Sequence, residues 1–425
     1  MEVIVAGAGL GGLVAANKLH RLGHDVTVID AAPMLLPLGV GINMLPHGAG
    51  ILYELGLEDA LNRTGIQTSA VEYRTEFGQV ILRDPRGRNA GDPFPQYSIH
   101  RGHLHKVLLD AATAALPAGR IMTGHRIEGF TQTADRVSAQ LRRTDGTAAT
   151  LEADLLIGAD GVHSALCKQM HPDAALTFSG TMMWRGAVER EPYMDGRTMV
   201  IAGHHDAKMV IYPISEEARL RGRSLINLTA EIHIGTSATY PKEDWNRPAD
   251  VSEFIHAFEH MKFDFLDIPA ALREIEDVFV YPMVDRDPLP FWSQGRVTLM
   301  GDSAHPMYPI GANGASQAFL DADALDKALR EHADPVEALQ AYEQQRLPAA
   351  AAVVAANRAK GPEAVLQLAR ERVTGPDDDI SALISREEID AITRGYQKVA
   401  GFDPESLQAK QSEIARKGGT TRLPV

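Results

Sequence analysis

The sequence predicts an α/β fold: a Rossmann-type domain interrupted by a β-rich excursion and followed by a helical C-terminal region. Three observations carry this expectation. A strand, a glycine turn, a helix and a second strand open the chain; strand-like runs dominate from about 174 to 283; and Ala-rich helical sequence extends from Ser316 towards about 400.

The elements follow in order. Residues 3–6 (VIVA) form a short apolar run expected to be a buried strand, Gly7 to Gly12 a tight turn, Leu13 to Leu22 a helix ended by Gly23, and Asp25 to Asp30 (DVTVID) a second strand. Strand-like runs follow at 71–82. The stretch YSIHRGHLHKVLLDAATAAL begins as a strand and continues as an amphipathic helix to about Leu116. Alternating segments with turns such as TDGT occupy 121–157. The runs MMWRGAVE, TMVIAG, KMVIYPIS and RSLINLTAEI then predict an antiparallel sheet. RVTLMGD returns to a buried strand, and Ser316 to Leu329 places Phe319, Ala322, Leu325 and Leu329 on one helical face. The implied division is a discontinuous nucleotide-binding domain (1–70, 97–173, 284–345), a β-rich substrate domain (71–96, 174–283), C-terminal helices (346–410) and a frayed tail (411–425).

Composition narrows the function. With 44% hydrophobic and 23% charged residues the chain reads as an ordinary globular protein, and a net charge of -14 disfavours nucleic acid or an anionic membrane as partner. The single cysteine, Cys167, excludes an intramolecular disulfide and any Cys-based metal cluster. No basic leader precedes the first apolar run, and Ala349 to Ala356 is too short to cross a bilayer, so a cytoplasmic monomer or homodimer is expected.

The chemistry concentrates at three strand ends. Gly7-x-Gly9-x-x-Gly12, with Leu10 opening the helix and Asp30 closing the second strand, has the register of a dinucleotide site. The glycines allow a tight turn and a close pyrophosphate, and the carboxylate is placed for a ribose. A purely structural glycine turn would not require the acidic residue in register. LLIGADGVHS ends at Asp160-Gly161 and RVTLMGDSAHP at Gly301-Asp302, so three strands can converge at their carboxyl ends. The first motif alone does not choose between FAD and NAD; the two later strand ends bear on that choice.

GAGLGG, GADGVHS and GDSAHPMYPIGANGASQAFLDADAL, in that order, resemble the FAD fingerprints of the single-component flavoprotein aromatic hydroxylases with the p-hydroxybenzoate hydroxylase fold, over roughly residues 1–350. The elements MWRG and YPMVDRDPLPFW are most similar to the phenazine-hydroxylase branch. The resemblance implies FAD as cofactor, NADH or NADPH as a transient reductant, and hydroxylation of an aromatic or heteroaromatic substrate by O2 through a C4a-hydroperoxyflavin. It also implies that Arg101 in IHRGHL and Gly41 in GVGINM lie at the flavin cofactor, and that Asp160 and Gly161 belong to its site. Asp302 would meet the ribitol chain, and Pro309, Gly311, Ala312, Asn313 and Gly314 would wrap the pyrimidine side of the ring. One departure stands out: Cys167 and Lys168 occupy the positions around which the family's Asp-Gly motif usually carries an arginine, which bears on NAD(P)H use.

Substrate contacts are expected from the β-rich segment. Arg185 is a candidate for pairing with a substrate carboxylate, Tyr212 for a hydroxyl, and Met183, Trp184 or His204 for the ring, although strand alternation turns about half of such side chains away. Pro309 is a candidate for the catalytic side of the flavin loop, whereas His305 is expected only to brace it. The pairs His204-His205 and His256/His260 lack a third ligand, so no metal is expected. Two other classes remain open on the same scaffold: an FAD oxidoreductase that inserts no oxygen, and a degenerate flavin-binding homologue.

Overall fold

The first strand, Glu2–Ala6, is apolar at every position after its first residue, and it lies buried in the middle of a sheet. The computed structural model describes residues 1–37, 39–237 and 247–417. Its six-stranded sheet runs in the order Ser293–Gln294, Val297–Leu299, Leu155–Gly158, Glu2–Ala6, Asp25–Ile29, Ile121–Met122, and every pairing is parallel except that of the first two. The three strands that end in Gly/Asp turns are therefore immediate neighbours, and their carboxyl ends open at one edge. The helix Leu10–Arg21 starts earlier than the sequence suggested. Leu10 is already in its first turn, and its buried side, including Leu13, Val14 and Leu19, packs against the sheet. Each such fully buried aliphatic side chain stabilises the fold by about 1.5–3 kcal/mol.

The β-rich segment forms an eight-stranded sheet: Arg247–Ala249, Val278–Arg286, Leu176–Arg190, Ser224–His233, Ala207–Pro213, Thr198–Gly203, Ala70–Arg74, Val80–Pro85. It is antiparallel except where Thr198–Gly203 pairs in parallel with Ala70–Arg74. One face packs against Phe254, Phe258 and neighbouring apolar residues to form a second core. The other face turns towards the first domain.

The long helices Gly314–Glu331 and Pro335–Arg358 return the chain to the nucleotide-binding side, and the shorter helices Ala364–Arg372 and Arg386–Ala400 pack on the eight-stranded sheet against Val71, Tyr73, Leu82 and Ile201. The tail differs from the expectation of fraying. Pro404–Arg416 is helical, capped by Asp403, and tied down by Lys410, which pairs with Asp323 at 2.7 Å and Glu54 at 3.2 Å. Lys18 meets the same two carboxylates, so two buried ammonium groups hold the Asp323 carboxyl well below its ordinary range. Residues 418–425 of the predicted tail lie outside the described residues.

Candidate active site

The N-terminal turn is built for an anion. Gly9 precedes the helix with no side-chain cap, so the first N–H groups of Leu10–Arg21 keep no capping partner from it. A Cβ on Gly9 would meet no atom within 4 Å, whereas one on Gly12 would lie 2.0 Å from the Gly7 carbonyl oxygen. Gly9 thus borders open space, and Gly12 permits the close packing beneath it. Asp30 holds the turn from the second strand: its Oδ2 accepts the Ala8 N–H and its Oδ1 that of Ala32, each at 2.8 Å.

Asp160 is turned into the protein rather than into the cavity. Its carboxylate accepts the Ser164 hydroxyl at 2.5 Å, the Ala165 N–H at 2.8 Å and the Ser303 hydroxyl at 3.1 Å, while burial pushes its carboxyl up. It joins the Asp-Gly turn to the Gly-Asp turn, and Gly161 is the member of its pair that lines the cavity. Arg286 completes this joint from the sheet, donating to the carbonyls of Ser303 and Val162, both at 3.1 Å. Below Gly301, Asp321 accepts the Gly301 N–H at 2.9 Å, His305 Nε2 at 2.6 Å and Arg346 Nε at 2.8 Å. These partners hold its carboxyl at about 2 despite full burial. His305 braces the turn, as expected. The Asp302 side chain opens into cavity space but is enclosed by surrounding protein, and that enclosure raises its carboxyl.

Pro309 to Gly314 form a strained loop over the same cavity. Gly311 has φ +70° and Ala312 φ +55°, an uncommon conformation for a residue with a Cβ. Tyr396, from the helix Arg386–Ala400, lies so close that a Cβ on Gly311 would sit 2.2 Å from its hydroxyl oxygen. The Tyr396 hydroxyl also reaches the Ile310 carbonyl at 3.2 Å and Asn357 Oδ1 at 2.9 Å. Asn313 Oδ1 is 3.2 Å from His47 Nε2, while Asn313 Nδ2 is buried without a partner. Burial pushes His47 down to about 3, so the ring is neutral and donates that bond.

The sheet supplies the opposite wall. Arg185 stands opposite Thr229, Met183 opposite Glu231, Val210 opposite Thr229 and Tyr212 opposite Asn227, so this register brings Met183, Arg185, Val210 and Tyr212 to one face. All four line the cavity. Arg185 is not left free as a two-armed carboxylate clamp. Its Nη2 donates to the Gly41 carbonyl at 2.5 Å, its guanidinium also meets the Tyr212 hydroxyl, and its Nε has no partner. Gly41 itself receives Tyr212 closely: a Cβ there would stand 2.5 Å from the Tyr212 ring and 2.8 Å from Asn227.

Two candidate ring contacts fall elsewhere. Trp184 alternates to the far face and stacks on Phe254 at 5.3 Å within the second core. His204 sits in a hairpin turn beside Glu76 at 3.5 Å, lining a separate small cleft. Among the described residues no group of three or more His, Cys, Asp or Glu is arranged to hold a metal ion.

A single cavity of about 390 Å³ runs from Gly9, Leu10 and Gly12 past Arg101 and Asp302 to the Pro309–Gly314 loop, and on to the sheet face. Its length, its open glycine turn at one end and the unpartnered Asn313 Nδ2 at the other fit an extended dinucleotide with a ring system beneath the loop. Residues 1–357 match the family model described as FAD binding domain. The chain belongs to the FAD-dependent aromatic hydroxylases.

Among relatives of this family, the chain is 41% identical over 403 residues to the phenazine 1,6-dicarboxylic acid hydroxylase PhzS of Lysobacter antibioticus, covering 94% of this chain and 97% of that one. It is 30% identical over 362 residues to 6-hydroxynicotinate 3-monooxygenase of Bordetella bronchiseptica, covering 83% and 89%. A salicylate hydroxylase substrate complex shares the fold with a TM-score of 0.72, 23% identity and 97% of each chain covered. This flavin hydroxylase is accordingly an FAD-dependent monooxygenase of an aromatic or heteroaromatic small molecule, with NAD(P)H and O2 as co-substrates. No described helix is long and apolar enough to cross a membrane.

Sequence reasoning missed several cavity and brace residues. Arg286 was signalled only as the second of two charged residues, after Asp285, at the end of a mostly apolar strand. Asp321 was signalled only by a carboxylate on the buried face of a helix. Glu363, Thr393, Tyr396 and Phe402 reach the cavity from segments that read merely as C-terminal helices.

Proposed function

We propose that this flavin hydroxylase acts on a planar heteroaromatic carboxylic acid of the phenazine class. The observation that carries the reading is the apolar slot formed by Val71, Met183, Met199, Ile201 and Val210, which faces the flavin loop and has Tyr212 at a polar end. Such a wall takes a flat, extended ring system by area, with few polar groups to orient it. The 41% identity to a phenazine dicarboxylate hydroxylase over almost the whole of both chains supports the same class.

The residue roles follow from position. The N–H groups at Leu10–Gly12 hold the pyrophosphate, Asp30 the adenosine ribose, and Arg101 with Asp302 the ribitol side. Gly311 and Ala312 shape the loop, their N–H groups being taken by Glu363 and the Pro309 carbonyl, while the Gly314 N–H and the Asn313 Nδ2 face the pyrimidine edge of the ring, where negative charge grows on reduction. Gly161 shapes the turn beside the ribitol, and Gly41 lets the strand Gly41–Met44 pass close against Tyr212 and Asn227 at the side of the slot. Bound FAD supplies the reductive activation of dioxygen. The protein holds the substrate flat against the loop, excludes water with the apolar slot, and orients the ring through the Tyr212 hydroxyl. Burial raises that hydroxyl even beside Arg185, so it remains a proton donor at neutral pH. Arg185 positions Gly41 and Tyr212, and Pro309 closes the slot at the loop. A cytoplasmic monomer or homodimer is consistent with the one buried cysteine and the reliance on a diffusible nicotinamide reductant.

The test is NAD(P)H oxidation stimulated by phenazine mono- and dicarboxylates, with 18O2 incorporation followed by mass spectrometry. Labelled hydroxyphenazine supports the reading. Stimulation and labelling confined to monocyclic hydroxybenzoates or hydroxynicotinates would replace it.

A further inference from the structure

At the end of the slot away from Arg185, a second cation faces the cavity. Arg86 follows the strand Val80–Pro85 and is 8% exposed, yet it lines the cavity together with Gln96, which is 1% exposed. Their proximity is built into the backbone. Gly87 has φ +54°, and a Cβ on it would stand 2.5 Å from the Gln96 nitrogen and 2.8 Å from Pro95 Cα. The chain on either side of Arg86 and Gln96 is thus pressed together, and a third peptide group joins them where Thr68 N–H donates to the Gln96 carbonyl at 2.8 Å.

The polar atoms at this corner are not all satisfied. Arg86 Nη2 meets Asp84 at 2.8 Å, and its guanidinium carbon lies 5.9 Å from the centre of the Phe402 ring. Arg86 Nε and Gln96 Oε1 are both buried with no hydrogen-bond partner. A buried donor or acceptor left unmade costs about 1–3 kcal/mol, more for a charged group, so two at one corner of a binding cavity call for a ligand group that satisfies them. Among the described residues Asp84 is the acid that forms an ion pair with Arg86. The corner therefore holds an unpartnered cationic edge beside an unpartnered side-chain amide atom, walled by Tyr73, Met199 and Phe402.

We infer that Arg86 and Gln96 form the anchor for a ring carboxyl group of the substrate, at the end of the slot opposite Tyr212. The inference rests on the reading of the substrate as an aromatic carboxylic acid. The Arg86 Nε–H donates to one carboxylate oxygen, and the Gln96 amide, turned so that its N–H takes the place of Oε1, donates to the other. Anchoring the acid here fixes which ring carbon lies beneath the flavin loop. The pair thereby sets the position of attack as well as affinity.

The test titrates the FAD-loaded full chain with phenazine-1-carboxylate and with unsubstituted phenazine, reading the perturbation of the flavin absorbance. Wild type is expected to prefer the acid by about 10-fold or more, the range of a charged hydrogen bond. R86M should abolish that preference while binding unsubstituted phenazine as wild type does, and Q96L should reduce it. If R86M purifies without FAD, Q96L and the charge-retaining R86K carry the comparison. Preference that survives R86M and Q96L overturns the anchor, as does an equal loss for both ligands. If neither phenazine perturbs wild type, the phenazine reading fails by itself. The anchor is then judged with 3-hydroxybenzoate against phenol and 6-hydroxynicotinate against 2-hydroxypyridine, and it fails if no acid is preferred.

Discussion

Arg185 and Gly41 are joined by a single hydrogen bond of 2.5 Å from guanidinium to carbonyl, and this bond couples the substrate sheet to the strand beside the flavin loop. Arg185→Ala removes it together with the contact to Tyr212. The expected result is a fall in kcat/KM for substrate-stimulated NAD(P)H oxidation of about 10- to 100-fold, the range of one charged hydrogen bond. FAD content should stay unchanged. Arg185→Lys, which keeps charge but not the planar fork, should recover only part.

Arg286 serves two cofactor turns through the carbonyls of Ser303 and Val162. Arg286→Met leaves both buried acceptors without that donor. Stability in urea should fall by about 1–3 kcal/mol, and the purified protein should retain less flavin at equal chain concentration. A variant that melts as wild type and stays fully yellow would refute the brace.

His47 sets an acid limit. Its folded value of about 3 lies below the ordinary 6.5, so the unfolded chain binds the proton more tightly between those two values. Its contribution is present above pH 6.5 and is lost progressively as pH falls towards 3, amounting to about 2 kcal/mol by pH 5. Equilibrium urea unfolding of wild type should show this loss between pH 7 and 5, and His47→Gln should flatten it.

Gly311→Ala tests the loop. The added methyl group meets Tyr396 in a left-handed conformation, and the loop must shift to relieve the clash. Weaker FAD retention is expected, measured as the flavin released on dilution. Asp302→Ala should purify with little flavin, and full yellow colour would defeat the ribitol assignment.

The strand ends were legible because short-range rules govern them. Glycine spacing, an acidic residue in register and apolar strands mark Gly9, Asp30 and Asp302, each from residues close to it in the sequence. Trp184 and Met183 were not separable, because alternation gives two faces and only the second core, built from Phe254 and Phe258 far along the chain, decides which is which. Asp160 read as a ligand group, since its partners Ser164 and Ser303 look no different from any polar turn residues until the turns meet. Cys167, placed where the family usually carries an arginine, lies buried at the base of the Asp-Gly turn, where burial raises its thiol. Arg286 brings a guanidinium to that turn from another strand. It lies within YPMVDRDPLPFW, but nothing local to that element says which turn it reaches.

The contact of Tyr396 with Gly311 has a temporal meaning. The glycine turn that receives the adenosine end leaves the ribosome first, but the wall over the flavin loop comes from residues almost four hundred positions later. A half-made chain can fold its opening βαβ unit, yet it cannot close the chamber around the ring. Cofactor capture must therefore follow synthesis of the last helices, and truncations near the C-terminus should yield apoprotein rather than a smaller working enzyme.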